Sequence, residues 1–278
     1  MSIESTDYPV LHRYLLEIAY DGSNYSGWQI QPHCLAVQEV LQQRLTYLYA
    51  GQSIHLIGCS RTDAGVHSLG FAASFLSPVR PDIPPEKLLK ALNRQLPPDI
   101  KIQTIREVPL EFHSRYDALG KAYTYVLNLG EASPFTERYS WRPWRRVQPD
   151  LIRAATAPLI GRHDFSSFVV ERSKIPDAVR TIYRIDVQEF GAYCCVTFVG
   201  NGFLYKMIRC LIGALVFAGA GQLSPAELAK ILEAKDRSAA PDTAPPQGLF
   251  LMKVFYDEQL LHNYRLSGLP FLINQTSE

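Results

Sequence analysis

The chain has 278 residues, a formal net charge of +1 at pH 7, 47% apolar residues and 20% charged residues. This composition is typical of a folded globular protein, and it excludes a disordered, collagen-like or coiled-coil chain. The small net charge excludes a polycation, so a preference for nucleic acid would have to come from local charge. The length predicts one or two domains.

Five cysteines without a Cys-x-x-Cys pair argue against a disulfide framework or a zinc site and fit a reducing cytoplasm. The first seven residues carry acids and no basic start, which argues against a signal peptide. The longest apolar run, residues 210–223, is too short to span a bilayer and predicts a buried helix. We therefore expect a cytoplasmic protein with no membrane partner.

The first half of the chain predicts a strand, a helix, two strands, a helix and a strand. In chain order these cover residues 13–20, 37–48, 53–59, 69–76, 84–96 and 100–108. The helices are indicated by apolar residues at helical spacing, and Pro84 and Pro85 mark the start of the second one. This order is that of a split βαβ unit.

The second half repeats the order less clearly. It predicts strands over 121–129, 178–190, 193–199 and 249–256, and helices over 149–160, over 203–218 and after the cap Ser224. The predicted fold class is α+β, with two tandem split βαβ units of RRM-like or ferredoxin-like type and a central cleft. The predicted subdomains are residues 1–110, which would carry the candidate catalytic loop, and residues 111–278.

Positive charge is concentrated in the second half. Residues 138–184 hold ten Lys or Arg and four Asp or Glu, and Tyr139, Trp141 and Trp144 alternate there with arginines. A basic segment with interleaved aromatic residues suits a phosphate backbone and unstacked bases. The same pattern is also that of a solvated loop whose aromatic side chains anchor it to the core.

The most unusual stretch, residues 58–67, reads Gly-Cys-Ser-Arg-Thr-Asp-Ala-Gly-Val-His. It connects two predicted strands, and Asp63 followed by Ala-Gly is compatible with a simple turn. The connection is long for a hairpin, however, and it places an acid, a base and a hydroxyl within a few residues. An arginine beside a carboxylate favours the ionised form, which is the form that acts as a nucleophile.

Residues 61–67, Arg-Thr-Asp-Ala-Gly-Val-His, closely resemble the signature of the tRNA pseudouridine synthases of the TruA family. Further blocks resemble this family in the same order along the chain. They are Tyr20-Asp21-Gly22-x-x-Tyr25-x-Gly27-Trp28-Gln29, Phe112-His113-Ser114-Arg115-Tyr116 with Tyr123-x-Tyr125, Gly161-x-His163-Asp164-Phe165, Asn201 to Arg209 with Gly213, and Thr243-Ala244-Pro245 with Gly248-Leu249.

The resemblance implies a pseudouridine synthase fold and an isomerisation of uridine to pseudouridine in RNA, with no cofactor and no metal. The N-glycosidic bond breaks, the uracil turns, and its C5 atom is joined to C1′. The family's catalytic aspartate maps onto Asp63, and attack of its carboxylate on C1′ or on uracil C6 is open. Detached uracil has to stay trapped while it turns, so we expect a closed, dry site.

The resemblance also assigns the other candidate site residues. The family's active-site tyrosine maps onto Tyr123, whose ring could stack on the target base or be a core aromatic of its strand. The active-site arginine maps onto Arg209, a catalytic candidate whose natural partner is Asp63, unless its head reaches solvent. We expect Arg61 to position the loop or the RNA, and Lys206 to contact phosphate or to be a surface charge. The histidines lack metal-ligand spacing and are interpreted as structural.

The family's substrates are uridines at tRNA positions 38, 39 and 40, so the expected partners are the anticodon arm of tRNA and a second copy of the chain in a homodimer. Two other functions are open. Split βαβ units also resemble RNA-binding modules, which bind without catalysis. A carboxylate-dependent glycosidase is the third candidate, but that chemistry usually needs two facing acids, and no second acid stands in a motif.

Overall fold

One nine-stranded sheet runs through the computed structural model, which describes residues 11–171 and 176–273. The strands are β1 (Arg13–Tyr20), β2 (Ile57–Gly58), β3 (His67–Leu76), β4 (Ile100–Val108), β5 (Gly120–Asn128), β6 (Gly161–Asp164), β7 (Val179–Phe190), β8 (Tyr193–Gly200) and β9 (Leu249–Phe255). The helices are α1 (Val37–Leu48), α2 (Pro85–Gln95), α3 (Pro149–Ala155), α4 (Met207–Gly219), α5 (Pro225–Ala234) and α6 (Glu258–Asn263). The predicted α+β class is confirmed, and the strands of both halves form one central sheet.

The sheet joins the two halves of the chain. Its strand order is β4-β1-β3-β9-β5-β8-β7-β6, and β2 pairs with β3 beside this path. The strand pairing that joins the halves is the parallel pair β3–β9, where His67 faces Phe250 and Ser68 faces Leu251. Two residue pairs are in register there, so the paired seam in the sheet is short, and it lies at the end of β3 that follows the Asp63 loop.

Local sequence signals explain the best-predicted helices. Helix α2 begins at Pro85, whose missing N–H costs nothing at a first helical position, and it buries Leu88 and Leu92. Helix α5 begins after Ser224, whose side chain accepts from the Glu227 amide while the Glu227 side chain accepts in return. This capping box satisfies amides that a helix start leaves without partners.

The strand predicted over 53–59 is wrong in extent, because only Ile57 and Gly58 pair with β3. The backbone of Leu56 is bound by helix α1 instead. The Gln42 side chain accepts from the Leu56 amide at 3.1 Å, and the Gln38 side chain donates to the Leu56 carbonyl at 2.8 Å. These side chains satisfy a buried backbone that would otherwise need a strand partner.

Two predicted helices are shorter than expected. The helix predicted from residue 203 begins at Met207, because Lys206 has a left-handed backbone (φ +59°) that a right-handed helix does not include. The helix predicted over 149–160 ends at Ala155 and is followed by a short 3-10 helix over Ala157–Leu159. Pro158 accounts for this break because it has no N–H to continue the helical ladder.

The centre of the molecule is covered on both faces of the sheet. All nine residues of β5 are buried, and helix α4 is buried over most of its length. A strand buried on both faces holds its side chains in fixed positions. None of the helices in the described ranges is long and apolar enough to cross a membrane.

Candidate active site

Asp63 lies on the loop between β2 and β3, at the seam between the two halves. The neighbouring Thr62 holds this loop through both its side chain and its backbone. A hydrogen bond of 2.8 Å joins its hydroxyl to that of Tyr20, and its carbonyl accepts from the Trp28 amide at 3.3 Å. Because Tyr20 and Trp28 are buried, the loop rests on the core of the first half.

Two glycines allow the loop to approach the N-terminal segment. A Cβ atom on Gly22 would lie 2.0 Å from the Val66 carbonyl oxygen. A Cβ atom on Gly27, where φ is +86°, would lie 2.2 Å from the Thr62 carbonyl oxygen. Real side chains do not come this close to backbone, so the loop position requires glycine at both sites.

An ion pair joins Asp63 to helix α4. Nη1 of Arg209 donates to Oδ2 of Asp63 at 2.5 Å, and the two side chains are only 12% and 13% exposed. The sequence predicted Asp63 as the partner of this arginine, and the ion pair is confirmed. A charged pair so little exposed needs close geometry to offset its desolvation, and this pair has it.

Arg209 also holds the loop before β9. Its Nε donates to the Ala244 carbonyl at 2.8 Å, and its own carbonyl accepts from the Ala244 amide at 3.0 Å. A Cβ atom on Gly213, one turn further along α4, would lie 1.9 Å from the Asp242 carbonyl oxygen. The Thr243-Ala244-Pro245 motif therefore serves as the support that fixes the guanidinium against Asp63.

Tyr123 is the aromatic side chain of the site. It is 6% exposed, its ring meets the Phe203 ring edge-on at 5.4 Å, and a hydrogen bond of 3.3 Å joins its hydroxyl to that of Ser60. Burial raises the pKa of Tyr123 well above 10, and the charge of Asp63 contributes in the same direction. The hydroxyl is therefore protonated at neutral pH.

Sequence reasoning missed Lys121, which lies two residues before Tyr123 on the same strand. It is 8% exposed, and its Nζ donates to the Cys59 carbonyl at 2.8 Å. Burial lowers its pKa from the usual 10.5. The available signal was the spacing, because residues two apart on a strand share a face and Lys121 thus faces the same loop as Tyr123.

The other two predicted site residues, Arg61 and Lys206, form no ion pair with Asp63 in the described part of the chain. Arg61 is exposed, and its Nε donates to Oε1 of Gln29 at 3.1 Å. The cation that pairs with the Asp63 carboxylate is therefore Arg209. Lys206 lies before the first turn of α4 with its Nζ 4.9 Å from the centre of the Tyr205 ring. Lys206 is half-buried, and within the described ranges neither cation forms an ion pair with a carboxylate.

Of the three aromatic residues that alternate with arginines in the basic segment, two anchor it and one is exposed. The Tyr139 hydroxyl donates to Asp21 at 2.8 Å, and the backbone of Trp141 pairs with β5. For Tyr139 and Trp141 the structure agrees with the interpretation that aromatic residues anchor this loop to the core. Trp144 is 75% exposed, and the Arg145 guanidinium lies 3.7 Å from the centre of its ring.

His67 links three segments of the chain, in agreement with a structural role. Its Nδ1 lies 3.1 Å from the Gly22 amide, and its Nε2 lies 2.9 Å from the Arg138 carbonyl oxygen and 3.1 Å from that of Gln247. The two carbonyls place a proton on Nε2. Within the described ranges, no three His, Cys, Asp or Glu side chains are grouped so that they could hold a metal ion.

Comparisons with known proteins identify the family. A curated relative named tRNA pseudouridine synthase A 1, from Protochlamydia amoebophila (strain UWE25), is 40% identical over 253 residues, which are 90% of this chain and 98% of the relative. The tRNA pseudouridine synthase A of Exiguobacterium sibiricum is 40% identical over 248 residues, 89% of this chain and 98% of that one. A solved Cbf5-Nop10-Gar1 complex aligns over 73% of this chain and 54% of that chain at 13% identity; its TM-score of 0.32 is too low to bear on the fold.

A family model described as tRNA pseudouridine synthase matches residues 18–117 and 155–257. The first range contains the Asp63 loop and the second contains Arg209, whereas Tyr123 lies just outside both. The resemblance inferred from the motifs is confirmed, and with it the prediction of an isomerase that acts on tRNA. The chain belongs to the tRNA pseudouridine synthase family.

Proposed function

We propose that this enzyme converts uridine to pseudouridine at positions 38, 39 and 40 in the anticodon stem-loop of tRNA, with the Asp63 carboxylate as nucleophile. The observation that carries the proposal is the ion pair between Asp63 and Arg209, beside the ring of Tyr123 and mostly shielded from water. A carboxylate oriented by a guanidinium suits attack on an electron-poor carbon.

In this mechanism the carboxylate attacks C1′ of the ribose or C6 of the uracil. The glycosidic bond to N1 breaks, the base turns, C5 bonds to C1′, and the bond to the Asp63 carboxylate breaks. C5 then loses its proton, which restores the C5=C6 double bond, and N1 gains a proton, so the overall change is an isomerisation. Arg209 orients the carboxylate before attack and neutralises it when it is released. The Tyr123 ring lies against the base and keeps water out, which favours recombination over loss of uracil.

A uridine in a stem has to leave the helical stack to reach Asp63. Arg61 and Trp144 are exposed, and Lys206 and Arg145 are half-buried. Together these cations and the Trp144 ring suit a phosphate backbone and an unstacked base. Phosphate contacts dominate such binding, so we expect the affinity for tRNA to fall as salt rises. Action at several neighbouring positions is consistent with recognition of tRNA shape.

We further propose the finer architecture that the sequence predicted. The strand orders β4-β1-β3-β2 and β9-β5-β8-β7 support two split βαβ units, assigned to residues 1–110 and 111–278, with the substrate cleft at their seam. The family resemblance supports a symmetric homodimer in the cytoplasm in which one tRNA touches both subunits. The dimer is tested by sedimentation with and without tRNA.

The function is tested on a full-length unmodified tRNA transcript, by mapping pseudouridine at each position for the wild type and for Asp63→Asn. We expect product at 38, 39 and 40 with the wild type and none with the variant, while the variant still binds tRNA. Product from both proteins would reject Asp63 as nucleophile. Binding of tRNA by the wild type without any product would favour the RNA-binding module without catalysis.

A further inference from the structure

A cavity of about 210 Å³ lies beside the Asp63 loop on the side of Ser60 and Arg61. Its wall includes Gln29, His113, Arg115 and Tyr116, which come from two segments distant in sequence. Two arginines and two histidines line it, and neither Asp nor Glu is found among the described residues of its wall. The charge of the wall therefore favours an anionic ligand.

One wall of this cavity carries a pair of aromatic rings. The rings of His113 and Tyr116 lie 4.3 Å apart at an angle of 37°, and Tyr116 is 75% exposed. The amides of Arg115 and Tyr116 lie 3.1 and 3.3 Å from Nδ1 of His113 and donate to it. This arrangement leaves the proton on Nε2, so the histidine is a fixed platform whose Nε2–H can still donate.

The two guanidinium groups of the wall are free to bind a phosphate. Nε of Arg61 is held by Gln29, which leaves both terminal nitrogens unused by that contact. The guanidinium carbon of Arg115 lies 5.7 Å from the centre of the Tyr116 ring. Neither arginine forms an ion pair with a carboxylate in the described part of the chain, and planar guanidinium groups match phosphate geometry well.

The cavity adjoins the site of Asp63. Ser60 lines it, and the hydroxyl of the same residue meets that of Tyr123 at 3.3 Å. A polymer with its reacting unit at Tyr123 would thus continue past Ser60 into the cavity. A stacking platform beside a phosphate site is the arrangement that proteins use for unstacked, single-stranded nucleotides.

We propose that this cavity binds the nucleotide next to the target uridine along the RNA chain. Arg115 and Arg61 hold its phosphodiester, and its base stacks on the Tyr116–His113 ring pair. The inference rests on the proposed function, since it takes RNA as the ligand. Stacking accepts any base, so such a subsite would hold the strand without restricting the sequence around the target.

The phosphate contact is tested by a double-mutant cycle on wild-type protein and Arg115→Gln. The ligands are full-length tRNAs made by ligation, each with one uncharged methylphosphonate linkage immediately 5′ or 3′ of a target uridine. We expect one of the two linkages to weaken wild-type binding about 10-fold, as for the loss of one charge-assisted hydrogen bond. Arg115→Gln should weaken binding of unmodified tRNA similarly. With that linkage it should lose clearly less than the wild type does, because only the Arg61 contact is left to lose.

The matched control is Arg94→Gln, which removes an exposed arginine on α2 and should bind each tRNA as the wild type does. If the fold loss from Arg115→Gln and the fold loss from the linkage simply multiply at both linkages, the two changes act independently and the phosphate assignment is overturned. The cycle measures binding, and pseudouridine is measured separately. If the wild type forms no pseudouridine, the proposed function is rejected. If it forms pseudouridine but Arg115→Gln and the linkage show no coupling in binding, only this subsite is rejected.

The stacking contact is tested with Tyr116→Ala and tRNAs that lack the base of the flanking nucleotide. We expect a loss of about 5- to 100-fold for intact tRNA, the range measured for removal of one base–aromatic stack. With the abasic tRNA the variant and the wild type should bind equally. Tyr47→Ala, which removes a ring of equal exposure (72%) on α1, is the control. Equal binding of intact tRNA by Tyr116→Ala and wild type would overturn the proposal.

Discussion

Arg209 and Asp63 are separated by 146 positions in the sequence, yet Nη1 of the arginine lies 2.5 Å from Oδ2 of the aspartate. Each belongs to a different half of the chain, so the pair also ties the halves together at the seam. The guanidinium is itself fixed by the Ala244 carbonyl. The orientation of the carboxylate is therefore decided by helix α4 and the loop before β9.

Removing the guanidinium should destabilise the protein strongly. We expect Arg209→Met to lower the free energy of unfolding by about 3 kcal/mol, because Asp63 would lose its partner while still shielded from water. The double variant Arg209→Met, Asp63→Asn should lose less than the sum of the single changes. Arg153→Met breaks an exposed pair with Asp150 and should cost under about 1 kcal/mol. Urea unfolding measures all four, and strict additivity would contradict the coupling.

Tyr123 should contribute to unfolding at alkaline pH. Burial raises its pKa above the ordinary 10.0, so above pH 10 the unfolded chain releases a proton that the folded chain keeps. Stability therefore falls as pH rises through this range, by up to about 1.4 kcal/mol per pH unit for one proton. Tyr123→Phe should remove from this slope the contribution of the one proton that Tyr123 releases. Because the hydroxyl makes one bond of 3.3 Å, its removal should change stability at pH 7 by about 1 kcal/mol or less.

The matched control for this slope is Tyr47→Phe, because that side chain is 72% exposed and its surroundings change little on unfolding. Stability is measured by urea unfolding between pH 8 and pH 11. An unchanged alkaline slope in Tyr123→Phe would contradict the role of its buried hydroxyl.

Gly27 and Gly51 offer a controlled comparison, because both have φ of +86°. A Cβ atom at Gly51 meets nothing within 4 Å, so Gly51→Ala should cost only the left-handed backbone strain, about 1–2 kcal/mol. A Cβ atom at Gly27 would press on the Thr62 carbonyl next to Asp63. Gly27→Ala should therefore cost more stability and also reduce the rate of pseudouridine formation. If Gly27→Ala and Gly51→Ala lose equal stability and form pseudouridine at equal rates, the Asp63 loop can shift to accommodate the Cβ atom, and the prediction is wrong.

Lys121 should position the loop rather than touch the substrate. Lys121→Met removes the donor to the Cys59 carbonyl, so we expect faster amide exchange over residues 59–66 and a rate reduced about 10- to 100-fold. The dissociation constant for tRNA should stay within about twofold, because no phosphate contact is lost. Lys101→Met removes an exposed lysine of β4 and should leave rate and exchange unchanged.

Lys121 also has a pH signature. Burial lowers its pKa below 10.5, so between the folded pKa and 10.5 the unfolded chain binds more protons than the folded one, and stability rises with pH. Lys121→Met should lack this rise when unfolding is followed from pH 7 to pH 10. A rise equal to that of the wild type would show that Lys121 is not desolvated.

Elements with a complete local signal were predicted correctly. Helix α5 carries its own capping box, α2 carries a proline start and an apolar face, and both begin where expected. Elements whose backbone partners are distant were predicted less well. The strand predicted around Leu56 does not form, because glutamine side chains of α1 bind the Leu56 backbone. Helix α4 begins later than predicted, because Lys206 has a left-handed backbone.

The same division holds for the site. The order of the motifs by itself determined the family, and the residue types of the Asp63 loop, Tyr123 and Arg209 marked the candidates. Lys121 was not found, because a single lysine in a strand has the pattern of an exposed position. Only the tertiary structure decided that the Ala244 carbonyl fixes the guanidinium of Arg209, which aromatic rings of the basic segment are exposed, and that a cavity adjoins the loop. These depend on contacts between residues far apart in sequence, and the packing of the two halves along the β3–β9 seam is what brings those residues together.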